Sequence, residues 1–267
     1  MRDRSLKEVR RILSAAGREQ AETPDFPLYS FDFVDGSAEL EALRAALRDL
    51  GIEWSEQFDH RYTDREILQA PLVLPILRRA PQGDPRFLDF DVSVACPRCG
   101  AGARQVGPIR FKGYEIRAKG GAFPMANGYW LFSETVVESL ARFSGIELRQ
   151  AEDLRSRQLL PWFQAIATHE LPPMHPDSTG FTGFGCPRCA RGGYFHRSEE
   201  PPMIVYDGAA VDVAGVPDVS ATFEHLGWSR PEDLFFAQPS LIFKSRVVKA
   251  LREAKVRLLQ FYPVTVR

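Results

Sequence analysis

The sequence lacks the apolar segments that direct a protein to a membrane. Crossing a bilayer requires about 18 or more consecutive apolar residues, and the longest apolar run, 70–77, is broken by Pro71 and Pro75. The first twenty residues have no apolar core and contain Asp3 and Glu8, which argues against a secretory signal and a transit peptide. These features predict a cytoplasmic protein that does not associate with a membrane.

The sequence also lacks an excess of charge of either sign. Lys and Arg number 34 against 35 Asp and Glu, which gives a formal net charge of −1. Proteins dedicated to nucleic acid usually carry a basic excess, so this balance argues against that class. The charge is nevertheless uneven, because residues 21–59 contain ten carboxylates and two arginines. This acidic stretch is either a solvated face or a docking surface for a basic partner.

Cysteine is scarce, and all four cysteines fall in two identical tetrapeptides, Cys96-Pro97-Arg98-Cys99 and Cys186-Pro187-Arg188-Cys189. In a reducing compartment, paired Cys-x-x-Cys units are typical of a Cys₄ zinc site. Proline stiffens each turn, and Gly100 after the first pair tolerates a positive φ, whereas Ala190 follows the second pair. The sequence therefore predicts one structural Zn²⁺ per chain, with Cys96, Cys99, Cys186 and Cys189 as ligands.

Three alternatives to structural zinc follow from the same residues. A thioredoxin-like redox pair would open a helix, but Gly100 and Gly102 follow Cys99 directly and disfavour one. A catalytic zinc would need an open coordination position, which a fourth cysteine fills. His196, seven residues after Cys189, is an alternative ligand, although we favour a local hydrogen bond for it.

Known catalytic motifs are missing from the sequence. It contains no Walker A loop and no Gly-x-Ser-x-Gly elbow. His169 and His175 lie six residues apart with two prolines between them, whereas a zincin helix places its histidines four residues apart. We predict a loop with two surface histidines here, and a protein that is not an enzyme.

Hydrophobic periodicity predicts an α+β fold that begins with a small N-terminal unit. The pattern indicates a helix within 1–22, a strand over 28–34, and a second helix from a Ser37 cap to Leu50. We assign these elements to an N-terminal α+β unit of residues 1–90. The core face of the second helix is predicted to comprise Leu40, Leu43, Leu47 and Leu50.

A weak internal repeat accompanies the two tetrapeptides. Residues 129–140 match residues 240–251, and each copy reads as a short apolar strand that enters a helix. A closing strand follows each copy, at 146–148 and at 258–262. We therefore predict two related β-rich halves joined by a pair of zinc knuckles, the first half at 91–152 and the second at 153–267.

The tetrapeptides, the segment Leu131-Phe132-Ser133-Glu134 and the closing Phe261-Tyr262-Pro263-Val264 resemble the bacterial double-CXXCG motif proteins. The resemblance covers residues 90–267, and Ala190 stands where the family motif ends in glycine. Some members of that family are immunity proteins against toxins delivered between neighbouring cells. The resemblance implies a non-enzymatic protein that neutralises a cognate toxin by direct binding.

A second functional hypothesis is a zinc-ribbon module that binds nucleic acid or a transcription complex. Arg98, Arg188 and Arg191 lie on the tetrapeptides or just beyond them, where the arginines of nucleic-acid zinc ribbons can contact phosphates. No run of basic residues surrounds these arginines, so we rank this hypothesis second.

Overall fold

A computed structural model describes most of the chain, grouped by its contacts into two compact units, Met1–Glu56 and Gln57–Arg267. The residues described are 11, 36–53, 61–77, 89–112, 121–124, 128–183, 185–196, 200–227, 229, 231, 236–256 and 259–267. The helix predicted within 1–22, apart from residue 11, and the strand predicted over 28–34 lie outside them. Over the described ranges, no helix combines the length and the apolar character needed to cross a membrane.

The described part of the first unit is centred on one helix, α1 (Ala38–Leu50). The Oγ of Ser37 accepts a hydrogen bond from the N–H of Leu40 at 3.3 Å, which satisfies a free N–H at the start of the helix. At the other end, Gly51 adopts a left-handed φ of 66° and closes the helix. The predicted helix and both of its termini are therefore confirmed.

The second unit is built mainly of strands and has three described helices, which confirms the α+β class. The helices are α2 (Asp64–Gln69), α3 (Glu134–Leu140) and α4 (Ser245–Glu253). The first seven strands are β1 (Leu72–Leu77), β2 (Phe90–Asp91), β3 (Arg104–Gln105), β4 (Arg110–Phe111), β5 (Ala122–Pro124), β6 (Trp130–Ser133) and β7 (Ile146–Asp153). The others are β8 (Leu159–Ala167), β9 (Phe181–Thr182), β10 (Phe195–His196), β11 (Val205–Tyr206), β12 (Val219–Leu226), β13 (Gln238–Phe243) and β14 (Leu259–Val266).

Two five-stranded sheets organise the second unit. The first sheet has the order β11-β14-β1-β13-β12, and the second has the order β4-β7-β8-β6-β5. Two short ribbons, β2-β3 and β9-β10, complete the pairing. The first sheet thus combines β1 with strands more than a hundred residues away along the chain, whereas the second is built from the consecutive strands β4 to β8.

The predicted strand–helix–strand order occurs at both places. In the second sheet, β6 leads into α3 and then β7, and β8 pairs antiparallel with both strands and separates them. In the first sheet, β13 leads into α4 and then β14, and β1 takes the same antiparallel position between them. Each is a split β-α-β unit with one inserted strand.

Strand β1 pairs with strands outside the N-terminal unit to which the sequence assigned it. It belongs to the segment assigned to an N-terminal unit of 1–90, yet it pairs with β13 and β14 near the end of the chain. Its ladder to β13 is a single pair at Val73, and Pro75, which has no N–H to donate, lies beyond that pair. The prolines concealed this strand from local pattern reading.

The largest hydrophobic core lies among the two sheets and the helices. It contains Val73 of β1, Phe243 of β13, Phe132 of β6, Leu140 of α3 and Leu251 of α4. Alternate side chains of the sheets point away from this core into two further clusters, because successive strand residues face opposite sides. One of these clusters includes Leu72, Leu74 and Ile242, and the other includes Ile109 and Leu131.

Candidate metal centre

The four cysteines converge on one point, although 86 residues separate the two tetrapeptides. Their Sγ atoms all lie within 4.8 Å of one another, and all four are free thiols. Between the knuckles, the sulfur–sulfur distance is 3.9 Å for Cys96 and Cys186 and 3.5 Å for Cys99 and Cys189. A tetrahedral metal with sulfur bonds of about 2.3 Å has sulfur–sulfur edges of about 3.8 Å. The cysteines are therefore positioned to hold a metal ion.

The first knuckle, residues 96–101, is a tight turn closed by the backbone. The N–H of Gly100 donates to the carbonyl of Cys96 at 2.8 Å, and the N–H of Cys96 donates to the carbonyl of Ala101 at 2.8 Å. Gly100 has a left-handed φ of 72°. A Cβ at this glycine would lie 2.3 Å from Cδ1 of Phe236, so the ring of Phe236 covers the turn.

The second knuckle, residues 186–190, has the same turn with a different last residue. The N–H of Ala190 donates to the carbonyl of Cys186 at 2.7 Å, as Gly100 does in the first knuckle. Ala190 adopts a left-handed φ of 60°, a conformation that residues other than glycine rarely take. Its side chain is exposed, so the space that Phe236 fills at the first knuckle is open here.

Backbone amides of both knuckles point at the sulfur of the first cysteine. Burial opposes ionisation of Cys96, but hydrogen bonds from the N–H groups of Cys99 and Arg98 outweigh it and lower its pKa to about 7. The pKa of Cys186 is lowered in the same way by the N–H groups of Arg188 and Cys189, against the effect of burial. Burial raises the pKa of Cys99 to about 12. The amides therefore favour the thiolate, the form that binds metal, at the two buried positions.

Hydrogen bonds between two neutral side-chain amides connect the first knuckle to the second sheet. The strands β2 and β3 flank the knuckle, and the side chain of Gln105 on β3 meets that of Gln164 on β8. Each amide nitrogen donates to the other amide oxygen, with both distances 2.8 Å. Phe90 of β2 packs edge-on against Phe236, with 4.8 Å between the ring centres.

The second knuckle is connected to the first sheet through Arg191, which also forms an ion pair. The guanidinium of Arg191 forms two bonds to the carboxylate of Glu170, at 2.5 and 2.8 Å, and lies 4.1 Å from the ring centre of Phe223 on β12. The hydrogen bond with Glu170 raises the pKa of Arg191, so this side chain stays charged. The N–H of His225, also on β12, donates to the carbonyl of Arg191 at 2.7 Å.

The two knuckles thus tie one sheet to the other. The first is anchored on β8 of the second sheet, and the second is anchored on β12 of the first sheet. A Cβ at Gly192 would lie 2.8 Å from Sγ of Cys99, so the chain after the second knuckle passes directly against the first. A metal shared by four cysteines would clamp these anchored segments together.

His169 and His175 lie outside the cysteine cluster. His169 is exposed and its Nδ1 lies 3.1 Å from Oγ of Ser220, and Nδ1 of His175 accepts a hydrogen bond from the N–H of Asp177 at 3.2 Å. The segment between these histidines is not helical, which confirms the predicted loop. His196 lies on β10, and its side chain is outside the described residues. Over the described ranges, the four cysteines form the one cluster with potential metal ligands.

No sequence pattern predicted the polar groups that are buried beside the second knuckle. Glu224 on β12 is 2% exposed, and its Oε1 accepts the N–H of Met174 at 2.8 Å. Its Oε2 and the hydroxyl of Tyr206 are buried without a hydrogen-bond partner. Burial raises the pKa of Glu224, with a further contribution from Glu170. The only available signal was a strand with polar residues on both faces, which usually indicates exposure instead.

Comparison with protein-family models, with curated proteins and with solved structures gives no match to this chain. The geometry of the cysteines is therefore the firmest guide to its chemistry.

Proposed function

We propose that this protein is a non-enzymatic binding protein, stabilised by one structural Zn²⁺, and that it acts as an immunity protein by binding a toxin directly. The observation that carries the proposal is the convergence of four cysteine sulfurs within 4.8 Å. Four thiolates complete a tetrahedral shell, which leaves no position for a catalytic water or a substrate. The metal would then stabilise the fold, and the protein would act by binding a partner through its surface.

Zinc is the metal we propose because it prefers tetrahedral thiolate sites and undergoes no redox chemistry. Cys96, Cys99, Cys186 and Cys189 would hold it. Purified protein should contain one zinc ion per chain, and its thiols should react with a bulky thiol reagent much more slowly than those of the denatured or chelated protein. Two metal ions per chain, iron in place of zinc, or two disulfides without metal would contradict this assignment.

The binding surface we propose is the acidic stretch 21–59, of which residues 36–53 are described. On α1, Glu39 and Glu41 are exposed, and the helix lies in a unit that holds none of the metal ligands. Carboxylates on such a surface would attract a basic partner and block its working surface. The assignment of that partner as a toxin rests on the resemblance to the double-CXXCG motif proteins.

A pull-down from the native cells tests the partner. We expect one stoichiometric protein that is toxic when expressed alone and harmless when co-expressed with this chain. Charge reversal at Asp32, Asp35 and Glu39 should weaken the complex, whereas reversal at the exposed Glu138 and Glu253 is the matched control. Recovery of nucleic acid or RNA polymerase subunits would favour the zinc-ribbon hypothesis, and equal affinity of both variants would exclude the acidic surface.

A further inference from the structure

The four cysteines divide into a buried pair and a partly exposed pair. Cys96 and Cys186 are 9% and 6% exposed, whereas Cys99 and Cys189 reach the surface. Each pair contains one cysteine from each knuckle. The partly exposed pair also has the shorter sulfur–sulfur distance, 3.5 Å against 3.9 Å. An oxidant from solvent therefore reaches the less buried pair first, and its two sulfurs lie 3.5 Å apart.

The backbone supports contact between the knuckles at the exposed pair. Gly192, three residues after Cys189, lies so close to Cys99 that a Cβ would be 3.0 Å from Cβ of Cys99. The chain just after Cys189 therefore packs against Cys99, so the two knuckles touch beside the partly exposed pair.

We propose that Cys99 and Cys189 are an oxidation site, at which hydrogen peroxide expels the metal and forms a disulfide between the two knuckles. The inference rests on the metal centre of the proposed function. Because the new bond joins the knuckles as the metal did, the oxidised protein keeps its two sheets tied together. A disulfide within either knuckle would not join one knuckle to the other.

The reaction consumes one hydrogen peroxide for each disulfide. As metal ligands, both cysteines of the partly exposed pair would be thiolates. One thiolate attacks one peroxide oxygen, the O–O bond breaks, and a sulfenic acid and hydroxide form. The other thiolate then attacks the sulfenic sulfur, the S–S bond forms, and a second hydroxide leaves. The two sulfurs lose two electrons, the peroxide gains them, and each hydroxide takes a proton from water or buffer. The metal ion departs without a change of oxidation state.

Peptide mapping of the full-length protein tests the proposal, because trypsin cleaves between the two cysteines of each knuckle, after Arg98 and after Arg188. The metal content is measured first, and hydrogen peroxide is then added in the presence of a chromogenic chelator. We expect metal release together with a linked pair of peptides, 99–104 and 189–191, as the most abundant disulfide product. Retention of the metal, a link within a knuckle, a dominant Cys96–Cys186 link, or sulfinic acids without disulfide would each overturn the proposal.

Two further measurements separate this inference from the metal assignment. Protein that contains no metal as purified would overturn the zinc centre, while mapping of its reduced and reoxidised form would still decide the disulfide. The unfolding midpoint of oxidised, metal-free protein should exceed that of reduced, metal-free protein, and a reductant should abolish the difference.

Discussion

Gly100 and Ala190 occupy the same place in the two knuckles, with left-handed φ angles of 72° and 60°. The first residue is covered by the ring of Phe236, and the second has an exposed side chain. Identical Cys-Pro-Arg-Cys sequences thus form similar turns in different surroundings. The tetrapeptide itself determines the turn. Whether the residue after it can carry a side chain depends on which other segment of the protein packs against it.

The anchors of the two knuckles differ in charge as well. A neutral pair, Gln105 with Gln164, holds the first, and an ion pair, Arg191 with Glu170, holds the second. Glu224, whose pKa is raised by burial, lies on β12, the strand whose Phe223 and His225 contact Arg191. Salt and pH should therefore act mainly on the surroundings of the second knuckle.

The largest effect should come from loss of a ligand, and it should be equal for both knuckles. Cys96→Ser and Cys186→Ser each remove one sulfur from a shared metal, and we expect losses on the order of 5 kcal/mol in the free energy of unfolding. Metal analysis and urea unfolding measure the effect, with the exposed Arg98→Ala as control. The double variant should lose little more than either single one, and additive losses would mean that the knuckles do not share one metal.

Substitutions of the residue that follows each tetrapeptide should have opposite effects on stability. Gly100→Ala places a Cβ 2.3 Å from Phe236 and forces a left-handed alanine, which we expect to cost roughly 2–4 kcal/mol. Ala190→Gly relieves a left-handed alanine and should stabilise the protein by up to about 1 kcal/mol. Thermal unfolding of both variants measures the contrast. Equal and small changes would show that Phe236 does not cover the first knuckle.

The contributions of the two anchors to stability should differ in their dependence on salt. Gln164→Ala leaves the side chain of Gln105 without its amide partner, which should cost about 2 kcal/mol at any salt concentration. Arg191→Ala removes a partly exposed ion pair and a ring contact, and should cost about 1 kcal/mol at low salt. Urea unfolding at 0.05 and 1 M NaCl is the measurement. A loss for Arg191→Ala that does not shrink at high salt would contradict an electrostatic anchor.

The smallest effect concerns pH and the buried Glu224. Burial raises its pKa above the unfolded value, so its contribution to stability is full below that value and is lost as the pH rises through the folded pKa. The free energy of unfolding of Glu224→Gln, relative to that of the wild type, should therefore increase as the pH rises from mildly acidic to neutral.

Asp218 provides the control for that measurement. Burial disfavours its charge, but hydrogen bonds from Arg246 and Ser144 outweigh burial and lower its pKa. Asp218→Asn should accordingly lose stability relative to the wild type at neutral pH and recover as the pH falls. Urea unfolding of both variants over this range gives the two slopes, and slopes of the same sign would refute the assignment of Glu224.

The sequence by itself determined the features that depend on near neighbours. Ser37 and Gly51 mark the ends of α1, the tetrapeptides form the turns, and the strand-to-helix transitions occur where the repeat predicts them. Each of these depends on contacts within a few residues, which an apolar period or a capping residue reveals directly. The ligand set was also readable, because the chain contains no other cysteine.

Only the tertiary structure decided the long-range placements. Strand β1 lies between β13 and β14, and Phe236 covers Gly100. Arg191, which the sequence offered as a possible phosphate contact, instead forms an ion pair with Glu170. The partners in each case belong to other segments of the chain, and no local pattern encodes them. They are fixed by which arrangement of the sheets buries the apolar faces and pairs the buried polar groups, a property of the whole packed chain.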